Sequence, residues 1–183
     1  MNKNFNTSLT QGERGEAKVE DFFAYLKSVG NIKDWSRTPH YLYEHLGIDA
    51  ENDYVIWNSN RGTKGIEVKT LAGTRWTGEP CDTGVIEIWK DDAKTKRAGW
   101  WKSVEKQHLN FLFFVNEFTD CVYVFDALKL KTHYENGNPY LTRCKDPNQA
   151  NNYGYISFFG WENADQGWLF TIKKENEKWI KVK

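Results

Sequence analysis

Long apolar runs are missing from this sequence. The longest unbroken one, Phe111 to Val115, falls far short of the roughly 20 residues that a membrane-spanning helix needs. The opening Met1-Asn-Lys-Asn-Phe-Asn-Thr-Ser has neither an apolar stretch nor a small-residue cleavage site, so no secretion signal is expected and the chain reads as cytoplasmic. Cysteine is scarce. Cys81, Cys121 and Cys144 are an odd number set far apart, with no Cys-x-x-Cys, which argues against a disulfide framework and a thiolate zinc site. Net charge is absent too, because 25 Lys and Arg balance 25 Asp and Glu. A protein that grips nucleic acid over its whole surface is basic, so any such contact here is local. There is no Gly-x-x-x-x-Gly-Lys-[Ser/Thr] loop, no Gly-x-Ser-x-Gly and no His-Glu-x-x-His, which removes support for ATP-driven, serine-hydrolase and zinc-peptidase chemistry. His40, His45, His108 and His133 lack paired zinc spacing and read as structural or surface groups.

What is present suits one α/β domain spanning residues 1–183. The aromatic load is heavy, with 11 Phe, 9 Trp and 9 Tyr. Large residues filling a sheet-rich core explain it most simply, with stacking platforms for bases or sugars as the rival. Residues 1–12 are polar and expected to be loose. From Gln11 to Gly30 the pattern is helical: Val19, Phe22, Phe23, Leu26 and Val29 fall on one stripe, and Gly30 is a good stop. An irregular stretch containing Trp35 and Pro39 follows. From Ile48 the period changes to two. Asp53–Trp57, Gly65–Thr70 and Thr83–Trp89 read as strands, and Asn58-Ser-Asn-Arg-Gly62 is a turn that pairs the first two as an antiparallel hairpin. A charged stretch from Lys90 to Lys106 ends in a short helix. Phe111–Val115 and Val122–Phe125 suit central strands buried on both faces. The last third alternates turns, such as Glu135–Pro139, with strand candidates at Tyr153–Phe159 and Gly167–Ile172.

One constellation carries chemistry. Asp49 stands before one strand, and Glu67-Val68-Lys69 lies within the next. Side chains two apart on a strand share a face, so Glu67 and Lys69 point one way while Ile66 and Val68 point the other, into the core. A hairpin that brings Asp49 beside Glu67 makes an oxygen-rich site suited to Mg²⁺. The Lys69 ammonium can then position water or offset charge on a phosphate. The bland alternative is a solvated strand face.

Gly47-Ile-Asp49, followed after a gap by Ile66-Glu67-Val-Lys69, resembles the motif of the PD-(D/E)XK nuclease superfamily, with Ile48 where the usual proline stands. Family members often carry a helical glutamate, as in Gly12-Glu-Arg-Gly-Glu16, where Glu16 falls at the edge of the apolar stripe. A later acid, Glu87, alternates with Ile86 and Ile88. The resemblance covers about residues 12–126. It implies a restriction-endonuclease-like core, a mixed central sheet flanked by helices; residues 127–183 lie outside the resemblance and read from their strand candidates as an aromatic-rich C-terminal β extension. It further implies Mg²⁺-dependent hydrolysis of DNA, with Mn²⁺ able to substitute. Asp49, Glu67, Lys69 and Glu16 are the catalytic candidates, and Asp49, Glu67 and Glu87 the metal candidates.

The charged stretch offers a DNA-binding patch in Lys94, Lys96, Arg97, Lys102 and Lys106, interleaved with Trp100 and Trp101. DNA is thus the expected partner, no membrane is involved, and a homodimer is left open. Two rivals stand beside this reading. One is a catalytically inactive member of the fold, acting as a DNA-binding or protein-interaction module. The other is an unrelated aromatic-rich β protein that binds carbohydrate, which would have no reason to take up Mn²⁺.

Overall fold

The apolar stripe makes the first helix. The computed structural model describes residues 3–38, 53–58, 62–71, 83–89, 104, 109–136, 141–145, 153–160 and 167–183 of the chain, and α1 (Lys3–Ser28) opens it. Val19, Phe22 and Phe23 are fully or almost fully buried, each worth about 1.5–3 kcal/mol relative to exposure. The helix stops as expected. Gly30, at φ 76°, donates to Lys27 O at 3.1 Å, and Asn31 donates to Leu26 O at 2.8 Å. This paired closure needs a left-handed residue, which glycine supplies without strain. Two expectations change. The helix already begins at Lys3, because adding turns to a docked helix avoids the cost of nucleation. Val29 is 49% exposed, since the chain leaves the helix after Ser28 and the stripe ends with it.

Ten strands follow: β1 (Asp34–Arg37), β2 (Tyr54–Asn58), β3 (Gly62–Leu71), β4 (Thr83–Trp89), β5 (Phe111–Asn116), β6 (Cys121–Asp126), β7 (Leu141–Lys145), β8 (Tyr153–Gly160), β9 (Trp168–Glu175) and β10 (Lys178–Lys181). A second helix, α2 (Ala127–Asn136), sits between β6 and β7. Seven strands form one sheet in the order β1-β2-β3-β5-β6-β9-β10, and three form another, β4-β8-β7. The β2–β3 hairpin is antiparallel as expected, with Tyr54 opposite Ile66 and Asn58 opposite Gly62. The β3–β5 pair is parallel, which makes the sheet mixed.

The central strands are buried on both faces, as their continuous apolar runs predict. One face packs against α1 through Ile66, Val68, Phe113, Val115, Val122, Val124, Ile172 and Trp179. The other gathers Leu112, Phe114 and Phe125 with Ala127 and Leu130 of α2. Much of the aromatic load fills this core: Phe22 meets Trp179 at 5.1 Å and Phe23 meets Tyr54 at 5.5 Å, both edge-on. Three features depart from the sequence pattern. The short strand β1 falls in the stretch expected to be irregular. The helix α2 falls where turns and strands were expected, and Asp126 Oδ1 caps it by accepting from Lys129 N at 2.9 Å. Finally, β9 pairs with β6 and β10 with β9 in the main sheet, so strands on both sides of residue 126 share one sheet. Among the described residues, no helix is long and apolar enough to cross a membrane.

Candidate active site

The alternation along β3 decides which side chains can meet. Ile66 and Val68 enter the α1 core, and Thr70 lies against Gly15 of α1. Glu67, Lys69 and Leu71 therefore point to the opposite face, where Leu71 joins the α2 cluster. Glu67 is only 4% exposed. A buried carboxylate needs compensation, and Lys69 Nζ supplies it at 2.8 Å from Glu67 Oε1. The lysine itself keeps a path to solvent.

Register brings a second carboxylate to this face. Tyr54, the first residue of β2, opposes Ile66, so carrying that register one residue beyond the strand sets Asp53 level with Glu67. Its Oδ2 accepts from Val68 N at 2.6 Å, which ties the side chain to β3. Its carbonyl accepts from Thr38 N at 2.8 Å, which ties the backbone to the end of β1. The sequence reading named Asp49 and did not single out Asp53. Asp49 itself lies outside the described residues.

The helical glutamate has a different setting. Glu16 Oε2 is 2.7 Å from Arg37, and Glu20 Oε1 is 3.1 Å from the same guanidinium. Two carboxylates one turn apart repel unless a cation lies between them, and Arg37 is that cation. It also donates to the Tyr54 hydroxyl at 3.1 Å, which in turn donates to Glu20 at 2.8 Å. Burial, reinforced by its bond to Glu20, pushes the Tyr54 hydroxyl well above the ordinary tyrosine value, against the pull of Arg37. Hydrogen bonding to that hydroxyl raises Arg37. This network, on the α1 face, anchors the first residue of β2 directly beside Asp53. Neither Glu20 nor Arg37 was singled out in the sequence.

Glu87 lies in β4, opposite Ile156 of β8 in the three-stranded sheet. The basic candidates Lys94, Lys96, Arg97, Lys102 and Lys106 lie outside the described residues. Among the described residues, no three acidic, histidine or cysteine side chains converge into a closed metal cage. What the described residues present is the buried Glu67–Lys69 ion pair, with Asp53 bound to Val68 N between them.

No protein family matches this chain, and no curated protein matches it. Among solved structures, it is similar to a nuclease from a fusselovirus at 15% sequence identity and a TM-score of 0.46, over 84% of this chain and 87% of that one.

Proposed function

We propose that this chain is a divalent-cation-dependent nuclease that hydrolyses phosphodiester bonds in DNA, with Asp53, Glu67 and Lys69 at its centre. The observation that supports this is the buried Glu67–Lys69 pair on β3, with Asp53 tied through its Oδ2 to Val68 N between them. The donor set suits Mg²⁺ or Mn²⁺, which accept one or two carboxylates and leave other positions to water and substrate phosphate. A cation bound there would supply Lewis-acid stabilisation of charge on the phosphoryl oxygens. Asp53 and Glu67 would hold it, Glu67 from within β3 and Asp53 from the residue that precedes β2. Lys69 neutralises Glu67 in the free protein. Once Glu67 is engaged elsewhere, its Nζ turns to orient the attacking water or to meet charge developing on the phosphate. Asp49 and Glu87 are further acids that would complete the site through water, whereas Glu16, paired with Arg37 on the α1 face, would act only by holding the end of β1 beside Asp53. Lys94, Lys96, Arg97, Lys102 and Lys106 would hold flanking phosphates.

The test uses labelled single-stranded, duplex and branched DNA with Mg²⁺, with Mn²⁺ and with excess EDTA. Cleavage is expected with either cation and none with EDTA. Asp53→Asn should lose both Mn²⁺ uptake and cleavage, whereas Asp49→Asn should keep Mn²⁺ uptake. Undiminished cleavage in EDTA would sink the metal mechanism. DNA binding without cleavage would point instead to the inactive, DNA-binding form of the fold.

A further inference from the structure

Thr38 carries the one buried side-chain polar atom among the described residues that has no hydrogen-bond partner, its hydroxyl Oγ1. Such an orphan destabilises a fold, because the hydroxyl gives up its bonds to water and receives nothing in return. Its position makes it informative. Arg37 pairs with Tyr54, and the next rung joins Thr38 N to Asp53 O at 2.8 Å. Side chains directly opposite on antiparallel strands share a face and lie about 5 Å apart. The β2–β3 register, carried one residue beyond β2, sets Asp53 level with Glu67. Thr38, just past β1, Asp53, just before β2, and Glu67 in β3 therefore follow one another across the sheet, on the face that Lys69 shares.

We infer that Thr38 belongs to the site and that its hydroxyl is held for an oxygen-bearing ligand beside Asp53. This rests on the nuclease reading above and extends it by one residue. A hydroxyl serves either source of such an oxygen, donating to a substrate phosphate or accepting from a water in the cation's hydration shell. A valine would fill the same volume and pack against the same neighbours without leaving a polar atom unpaired. The unmet hydroxyl thus costs stability in the free protein and recovers it only when ligand arrives, which is how strained or unsatisfied groups at functional sites behave.

The experiment compares the full-length parent with Thr38→Val and Thr38→Ser by thermal unfolding, Mn²⁺ calorimetry without DNA, DNA binding in Ca²⁺, and Mg²⁺-dependent cleavage. Thr38→Val should melt about 2–8 °C higher, since an unsatisfied buried group is removed, yet cleave DNA about 10-fold more slowly. Thr38→Ser, which keeps the hydroxyl, should cleave within about threefold of the parent. Weaker Mn²⁺ binding in Thr38→Val identifies the hydration shell as the partner. Unchanged Mn²⁺ binding with weaker DNA binding identifies the phosphate. A purely structural threonine gives a lower melting temperature in Thr38→Val, and that result, or parent-like cleavage by that variant, overturns the inference. A parent that neither takes up Mn²⁺ nor cuts DNA overturns the nuclease reading itself, a result separable from either of these.

Discussion

Replacing Gly15 by alanine should destabilise this protein, although alanine is the better helix former. A Cβ built at Gly15 would clash with Thr70 Oγ1 and lie 2.8 Å from Thr70 Cβ and 2.9 Å from its Cγ2. Rotation of the threonine can withdraw the oxygen, but its Cβ is fixed to the backbone of β3. Carbon atoms settle at about 3.5–4.0 Å, so α1 must retreat by roughly 0.7–1.2 Å. The helix carries Val19, Phe22 and Phe23 into the core, and a gap of that size forfeits a quarter to a half of each contact's attraction. Overpacking of this kind costs about 1–3 kcal/mol, against about 1 kcal/mol gained in helix propensity. Because the clash is with a backbone-fixed atom, the upper half applies, and the net loss is about 1–2 kcal/mol. In a chain of this length that lowers Tm by about 2–8 °C. Gly12 is the control: a Cβ there meets nothing within 4 Å, so Gly12→Ala should raise Tm by a few degrees. Calorimetric melting of both variants, with Thr70→Gly completing a double-mutant cycle, reads the coupling directly. If Gly15→Ala melts as high as Gly12→Ala, the close approach of α1 to β3 is wrong.

Three further outcomes bear on the site. Lys69→Ala should slow cleavage by about 10²–10³ while Mn²⁺ affinity is kept or raised, because the ammonium competes with the cation for Glu67; parent-like rates would remove Lys69 from the mechanism. Replacing Lys94, Lys96 and Arg97 together by alanine should flatten the salt dependence of DNA binding by about one unit of slope per lost phosphate contact, with folding intact; an unchanged slope would mark the stretch as a solvated loop. The third concerns alkali. Folding raises the Tyr54 hydroxyl above its ordinary value of 10.0, so its contribution is fully present below about pH 10 and is lost as pH climbs beyond it. Tyr54→Phe should therefore show a shallower fall in denaturation midpoint than the parent between about pH 9 and 11. Equal slopes would mean the hydroxyl is not held as described.

Period and punctuation alone determined a good part of this molecule. The stripe of Val19, Phe22 and Phe23 and the stop at Gly30 were legible because helical spacing and a left-handed cap are local properties. The β2–β3 hairpin and the doubly buried β5 and β6 were legible because alternation and continuous apolar runs report burial directly. The pairing of Glu67 with Lys69 on one face follows from the strand period and nothing else. Tertiary structure decided the rest. The short strand β1 exists only because β2 offers it an edge, and its four residues hold too little pattern to announce it. The assignment of β9 to the flank of β6 depends on pairing between residues some fifty apart in the chain, such as Cys121 and Lys173, which no local signal encodes. The placement of Asp53 depends on register: only the rung that sets Tyr54 against Ile66 brings the residue before β2 level with Glu67. The same rung, carried one strand further, is what brings an unpaired threonine hydroxyl into line with them.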